Sequence, residues 1–219
     1  MHLNSSNVNM KGISRSSGDG KVLQINRGGI LHTDIWFCML PEATLINPIL
    51  KQEILAHQKT EPQRDPLANP KCWRGSKEYS KWPVLKQNII ENVKAIHRHY
   101  NRLGPPCALL DSFSDDRFET VHWANVNQKG STNAMHTHSK WHWSGCYYIQ
   151  GKGTGPIALY STPYLNQQVS YGLPFGQSFT MEPTDGLLLM FPSYLLHEVL
   201  TNNSDNPRIN IAFNVRIKF

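Results

Sequence analysis

The chain has 219 residues, 39% of them hydrophobic and 17% charged, with a formal net charge of +6 at pH 7. That length suits one domain with a sizeable buried core, and the Lys and Arg residues are scattered, without the block of like charge that holds nucleic acid or a membrane surface. Cys38, Cys72, Cys107 and Cys146 contain no C-x-x-C pair, which excludes a closed cysteine-rich metal site and points to buried thiols in a reducing, cytoplasmic setting.

No apolar run has the length of a signal peptide or a membrane span. Residues 1–20 are rich in Ser, Asn and Gly and are expected to be a flexible N-terminal segment, mobile or laid on the surface. Residues 21–219 are expected to form a single domain, with a helical N-terminal portion over about 21–104 and a core barrel over about 105–219. Residues 21–26 and 29–40 read as short strands, the second stopped by Pro41. Residues 45–58 read as a helix in which Pro48 sits in the first turn or marks the start. Residues 59–82, with Pro62, Pro66 and Pro70, read as an irregular excursion around Cys72-Trp73-Arg74-Gly75. It is either a substrate lid or, with somewhat better support, a surface loop anchored by Trp73 and Trp82. Residues 84–102 give the clearest helix, with Leu85, Ile89, Val93 and Ile96 on one stripe that should lie on a sheet.

After Pro105-Pro106 the pattern turns to strands. Residues 119–127 alternate; 128–133 form a polar turn into a histidine pair; 144–150 and 156–160 are strands around a glycine-rich turn, and a long polar loop runs on to Phe179. Residues 186–191 are continuously apolar, as in a strand covered on both faces. From Arg208 onward Ile209, Ile211, Phe213, Val215 and Ile217 alternate with polar or small residues, so one face feeds the core and the other meets something polar. About seven or eight short strands behind N-terminal helices predict a mainly β protein, a double-stranded β-helix (jelly roll) with the helices packed on the sheet.

Chemistry concentrates in Met135-His136-Thr137-His138 and in His197. On an extended strand His136 and His138 share a face and can grip one ion, with His197 as a third ligand. A chain with ten histidines produces an H-x-H by chance readily, and packing is the first explanation for any one of them. His97 and His99, two apart on a helix, point away from each other and are read as surface or packing residues. For the other three, the position at strand ends shifts the balance towards metal. Three imidazoles with coordination positions left open suit Fe(II) or a catalytic zinc. Arg208, at the head of an alternating strand, suits a carboxylate held beside that metal, hence a keto-acid cosubstrate.

His136-x-His138, then His197, ten residues, and Arg208-x-Asn210 resembles the pattern His-x-Asp/Glu … His-(ten residues)-Arg-x-Ser of the Fe(II)/2-oxoglutarate-dependent oxygenases. Tyr147-Tyr148-Ile149-Gln150 resembles a Tyr-Tyr-Leu-Asn strand of the prolyl-hydroxylase branch. Trp123-x-Asn125-Val126-Asn127, Trp143-Ser144-Gly145-x-Tyr147-Tyr148 and Phe191-Pro192-Ser193-x-Leu195-Leu196-His197 are similar to members found in bacteria and their phages. The resemblance implies Fe(II) and 2-oxoglutarate as cofactor and cosubstrate, His136 and His197 as metal ligands, and Arg208 and Tyr148 on the distal carboxylate of 2-oxoglutarate. Asn210 stands where the pattern has Ser and can hydrogen-bond there. Asn125 and Asn127 either line the pocket or form an internal hydrogen-bond network. His138 departs from the pattern: a neutral imidazole replaces a carboxylate, which leaves the metal more positive and fills the space a halide would need.

The resemblance implies hydroxylation, or another oxidation, of a small molecule or peptide, with dioxygen as the oxidant and 2-oxoglutarate oxidised alongside it. Trp141, His142 and Trp143 are candidate substrate residues, with aromatic packing the stronger reading for at least one tryptophan. Two alternatives stay open: a three-histidine dioxygenase without a keto acid, and a non-catalytic jelly-roll binding protein. The residues that choose a substrate are expected in 59–82, around Trp141, and in 161–180.

Overall fold

The computed structural model describes residues 13–16, 22–30, 33–61, 71–102, 112–160 and 178–219. In chain order the elements are β1 (Ile13–Ser16), β2 (Val22–Ile30), β3 (Thr33–Met39), α1 (Ala43–Thr60), β4 (Cys72–Gly75), α2 (Trp82–Asn101), β5 (Phe118–Asn127), β6 (Asn133–His136), β7 (Trp143–Gln150), β8 (Ile157–Tyr160), β9 (Ser178–Met181), β10 (Leu187–Pro192), β11 (Leu196–Val199) and β12 (Arg208–Ile217). They form an eight-stranded sheet in the order β1-β2-β3-β10-β7-β12-β5-β4 and a four-stranded sheet in the order β6-β11-β8-β9. All pairings are antiparallel. The two sheets with helices on one face are the expected jelly roll.

Strand periodicity sorts the residues between two cores. On β12, Ile209, Ile211, Phe213, Val215 and Ile217 join Ile46, Leu50 and Ile54 of α1 and Leu85, Ile89, Val93 and Ile96 of α2 in one buried cluster. Both helices therefore lie on the outer face of the large sheet, held by their apolar stripes. The alternate positions of the central strands turn inward: Leu187, Leu189 and Phe191 of β10 and Cys146 and Tyr148 of β7 pack with Ile157, Leu159 and Leu195. β10 is continuously apolar because it is covered from both sides, Leu188 and Met190 facing the helices and their neighbours facing the small sheet. Gly145, on the central β7, is required by close packing: a Cβ there would lie 2.1 Å from the Leu189 carbonyl oxygen and 2.6 Å from the Phe213 ring.

Several expectations are corrected. The segment read as flexible up to residue 20 contains β1, which pairs with β2 from Ile13↔Ile25 to Ser16↔Val22; Arg15 on it is buried and donates to Asn92 of α2 at 2.8 Å. Helix α1 begins at Ala43, so Pro48 falls in its second turn, where the missing N–H leaves the Thr44 carbonyl without its intrahelical donor. The excursion over 59–82 holds a strand, β4, which edges the large sheet beside β5; Trp73 and Trp82 are both buried, as anchors. His136 closes strand β6, with His138 beyond its end, and His197 lies within β11. Twelve strands are present among the described residues because four-residue pieces such as β6, β8, β9 and β11 carry too little alternation to be counted from sequence. Cys38, Cys72 and Cys146 are free and buried. Cys107 and most of the loop expected between Tyr160 and Phe179 lie outside the described residues. Among the described residues, no helix is long and apolar enough to cross a membrane.

Replacing Gly145 with Ala forces the β7–β10 spacing open. Overpacking of this kind costs about 2 kcal/mol or more, and urea unfolding of Gly145→Ala is expected to show that loss as a lower midpoint with an unchanged slope.

Candidate metal centre

His136 ends β6 and His197 stands opposite it on β11, register His197↔His136. Directly opposed residues on antiparallel strands project side by side, and the two ring centroids are 4.3 Å apart. His138 lies just beyond β6. Its backbone N–H donates to the Ser193 carbonyl at 2.9 Å, which turns the chain back so that its ring is 4.9 Å from His136 and 5.1 Å from His197. One ligand nitrogen from each of the three lies within 4.8 Å of the others, a group able to hold a metal ion.

Two of the rings are fixed in a useful tautomer. Nδ1 of His136 is 2.7 Å from the Ala134 carbonyl and Nδ1 of His197 is 2.8 Å from the Leu195 carbonyl. Each Nδ1 therefore carries its proton and donates, leaving Nε2 as a lone-pair ligand. Burial lowers the pKa of His197 to about 3, with His136 and His138 adding to the effect against an opposing hydrogen bond to Leu195. Burial lowers that of His138 to about 4, assisted by His136 and by Arg74. Both are neutral, and so able to ligate, across the physiological range.

The histidines stand on the wall of a cleft of about 980 Å³ that also takes in Arg74, Trp123, Asn125, Asn127, Trp141, Cys146, Tyr148 and Asn210. Asn125 donates to Asn210 at 2.9 Å, and Asn127 donates to Asn133 at 2.9 Å while accepting from the Cys72 thiol at 3.3 Å. Asn125 and Asn127 thus line the cleft with their side chains hydrogen-bonded to Asn210, Asn133 and Cys72. Trp141 is a cleft wall, covered by Arg216 with its guanidinium carbon 4.7 Å from the ring centroid. Trp143 and His142 lie elsewhere. Trp143 is buried under α2, 3.3 Å from His97, and His142 accepts the Ile217 N–H at 2.8 Å. Trp143 opens β7 and takes the helix side with Tyr147 and Ile149, while Trp141 and His142 lie before the strand, outside its alternation. His99 packs edge-on against Trp36 at 5.4 Å, as a packing residue.

Arg208 begins β12 on the face shared by Asn210 and Asn214. It is 1% exposed. Its Nη1 donates to the carbonyls of Thr154 and Gly155, at 3.2 and 3.0 Å, while Nε and Nη2 have no hydrogen-bond partner among the described residues. Burial lowers its pKa, and Tyr148 and Cys146 nearby counter this. Burial holds the Tyr148 phenol well above its ordinary 10, so it stays a hydrogen-bond donor. A buried cation with two unmatched donors beside a phenol that keeps its proton is the donor set a carboxylate requires.

Sequence reading missed five contributors. Ser144 bonds Ser193 and Asn214, each at 2.7 Å, and Ser193 fixes His138; Ser144 and Asn214 sit on inward strand positions that alternation would have marked, and Ser193 lies in the turn after β10. Arg74 and Cys72 reach the cleft because Cys72-Trp73-Arg74 alternates, a signal too short to separate from a loop.

Comparisons with known proteins agree with this geometry. Residues 121–214 match the family described as "Putative 2OG-Fe(II) oxygenase". No curated protein matches. The fold is shared with a crystal structure of a prolyl-4-hydroxylase from Pseudomonas putida, at 15% identity and a TM-score of 0.54 over 83% of this chain and 90% of that one. It is shared too with that of SnoN, described as a non-heme alpha ketoglutarate dependent epimerase from nogalamycin biosynthesis, at 8% identity and a TM-score of 0.53 over 83% of this chain and 77% of that one. Fold and site together define a jelly-roll protein with a three-histidine metal-type centre. The segment that matches the oxygenase family contains all three histidines, Tyr148 and Arg208.

Adding Mn(II) at a hundredfold excess over its dissociation constant stabilises the folded chain by about 2.7 kcal/mol, a rise in Tm of roughly 5–10 °C for a chain of this size. The rise is expected to vanish in His136→Ala and His197→Ala, and its persistence in either would remove that residue from the ligand set. Unfolded, His138 and His197 take up protons near 6.5, above their folded values of about 4 and about 3. Their contribution to stability is therefore complete above pH 6.5 and is lost as the pH falls towards 4. Thermal melts of the metal-free protein between pH 7 and pH 4.5 are expected to show a falling Tm with a shallower slope in His197→Gln.

Proposed function

We propose that the protein is an Fe(II)- and 2-oxoglutarate-dependent oxygenase in which His136, His138 and His197 hold the metal and Arg208, with Tyr148, holds the distal carboxylate of 2-oxoglutarate. Residues 21–219 work as a single oxygenase domain in this reading. The observation that carries it is the pair of unmatched Arg208 donors. A guanidinium shut away from water is costly unless its N–H groups are satisfied, and a binding protein whose histidines are relics has no use for one behind three imidazoles. A three-histidine dioxygenase without a keto acid has little more.

When bound, Fe(II) with 2-oxoglutarate and dioxygen supplies the oxidation of a substrate C–H bond to an alcohol, with succinate and carbon dioxide as co-products. The chain's own residues set the conditions for it. The carbonyls of Ala134 and Leu195 orient His136 and His197, and that of Ser193 fixes the backbone of His138. Thr154 and Gly155 clamp one end of the Arg208 guanidinium, so that the other is presented without reorganisation. Asn210 and Asn125, bonded to each other, form a polar wall on which the cosubstrate can lie. Because all three ligands are neutral, the metal keeps its full charge of about +2 until the dianionic cosubstrate arrives, so keto acid and metal are expected to bind with strong mutual dependence. The substrate enters from the open side of the cleft, past Trp141.

Anaerobic titration with Fe(II) and then 2-oxoglutarate is expected to produce the visible metal-to-keto-acid absorption band only after both additions. Arg208→Gln should weaken 2-oxoglutarate by about 30-fold, the equivalent of roughly 2 kcal/mol, and leave the metal-induced rise in Tm in place. Tyr148→Phe, which keeps the shape of the buried ring, should weaken it by about fivefold. Iron binding without any band would sink this reading and leave the dioxygenase without keto acid in its place.

A further inference from the structure

We propose that Arg74, laid over Trp123 at the mouth of the cleft, is the recognition site for a carboxylate on the substrate, and that the substrate is an organic acid, or a peptide bearing an acidic side chain, whose body is apolar or planar. The inference builds on the oxygenase reading by naming the class of molecule that the same cleft accepts.

Edge strand β4 puts Arg74 there. In the β4–β5 register Arg74 pairs with Asn125 and Cys72 with Asn127, so both side chains project to the cleft face, while Trp73 between them is buried in the core against the helices. The Arg74 guanidinium carbon lies 4.3 Å from the centroid of the Trp123 ring, and that ring lies 5.9 Å from His138. Stacking holds one face of the guanidinium and leaves its N–H edge free. Arg74 has no hydrogen bond or ion pair among the described residues. The other fully charged side chain on the cleft wall, Glu61, is occupied by His57, with 3.1 Å between Oε2 and Nε2. Arg74 is thus a preorganised cation with nothing to pair, one ring away from the metal ligands.

The surroundings set the rest of the ligand. Val121 and Met135, 37% and 43% exposed, line the same cleft with Trp123 and Trp141, an apolar rim for a hydrocarbon or flat ring. A single free guanidinium edge matches one carboxylate bidentately, whereas a phosphate dianion calls for more donors than this wall offers. Arg208 serves a different group: it is sealed at 1% exposure, while Arg74 is open to entering molecules. Two anions, one deep and one at the mouth, leave the reacting carbon between them.

The test uses the full chain loaded with Mn(II) and saturating 2-oxoglutarate, with binding read from tryptophan fluorescence, to which Trp123 contributes. Phenylbutyrate, its neutral amide and phenylpropyl phosphate are the probes. The acid is expected to bind at least about tenfold more tightly than the amide, as one charge-assisted contact gives. Arg74→Gln should remove that preference without changing the amide, and Arg74→Lys should restore part of it. The mouth site should leave 2-oxoglutarate binding to Arg74→Gln unchanged. Equal binding of acid and amide, an undiminished preference in Arg74→Gln, tighter binding of the phosphate, or displacement of the acid by further 2-oxoglutarate would each overturn the proposal. Failure of the wild-type chain to bind 2-oxoglutarate strikes the oxygenase reading instead, and the acid–amide comparison on the Mn(II) protein still decides the role of Arg74.

Discussion

A cation enclosed by protein cannot be left to itself, and the inner half of this molecule is arranged around one. The Arg208 guanidinium is closed off from water with Nη1 bonded to the Thr154 and Gly155 carbonyls and Nε and Nη2 unmatched among the described residues. In a medium of low dielectric that state is costly, and the proposed carboxylate partner would relieve it. The turn carrying Thr154 is shaped accordingly. Gly155 has φ of +85°, and a Cβ on it would lie 2.4 Å from the Thr201 carbonyl oxygen, so glycine is needed to aim that carbonyl at Arg208. The phenol of Tyr148 and the thiol of Cys146, both pushed up by burial, stay protonated beside it and add no negative charge to compete with an incoming one.

The same two-residue alternation supplies both stability and chemistry. β12 gives its Ile and Phe residues to the helices and its Arg208, Asn210 and Asn214 to the interior; β7 gives Tyr147 and Ile149 to one side and Ser144, Cys146 and Tyr148 to the other. Helices α1 and α2 close the outer face, so the large sheet is a rigid plate from which polar groups project at fixed spacing. Rigidity of that plate explains why the asparagines can be mutually satisfied and still face a cleft: neither needs to move to keep its bond.

Much of this was legible in the chain itself. The period-3.6 stripe of Leu85, Ile89, Val93 and Ile96 specifies α2, and the period-2 run from Arg208 specifies β12 with its faces correctly assigned. The strand-end positions of His136, His138 and His197 mark the histidine cluster, since few structural demands place such groups together. What was illegible has a physical cause in each case. β1 and β4 are four residues long, shorter than any alternation can declare, and take their conformation from the strands they edge. Pro48 was expected at a helix start because proline is favoured there; in its actual place tertiary burial of Ile46, Leu50 and Ile54 outweighs one lost hydrogen bond. His142 and Trp143 could not be sorted by sequence, since an aromatic side chain serves a helix interface as well as a substrate mouth.

His136 and His197 face each other across the narrow sheet although roughly sixty residues of chain separate them. An ion held between them is therefore a removable cross-link as well as a reactive centre. Like a disulfide, it closes a long loop and restricts the unfolded chain, but it comes and goes with metal supply and with the protonation of its ligands. The small sheet, made of four strands of four residues each, is held by its ladders and by the core it shares with the large sheet, and an ion between β6 and β11 adds to both. The stability of that half of the barrel would therefore rise when the ion is bound.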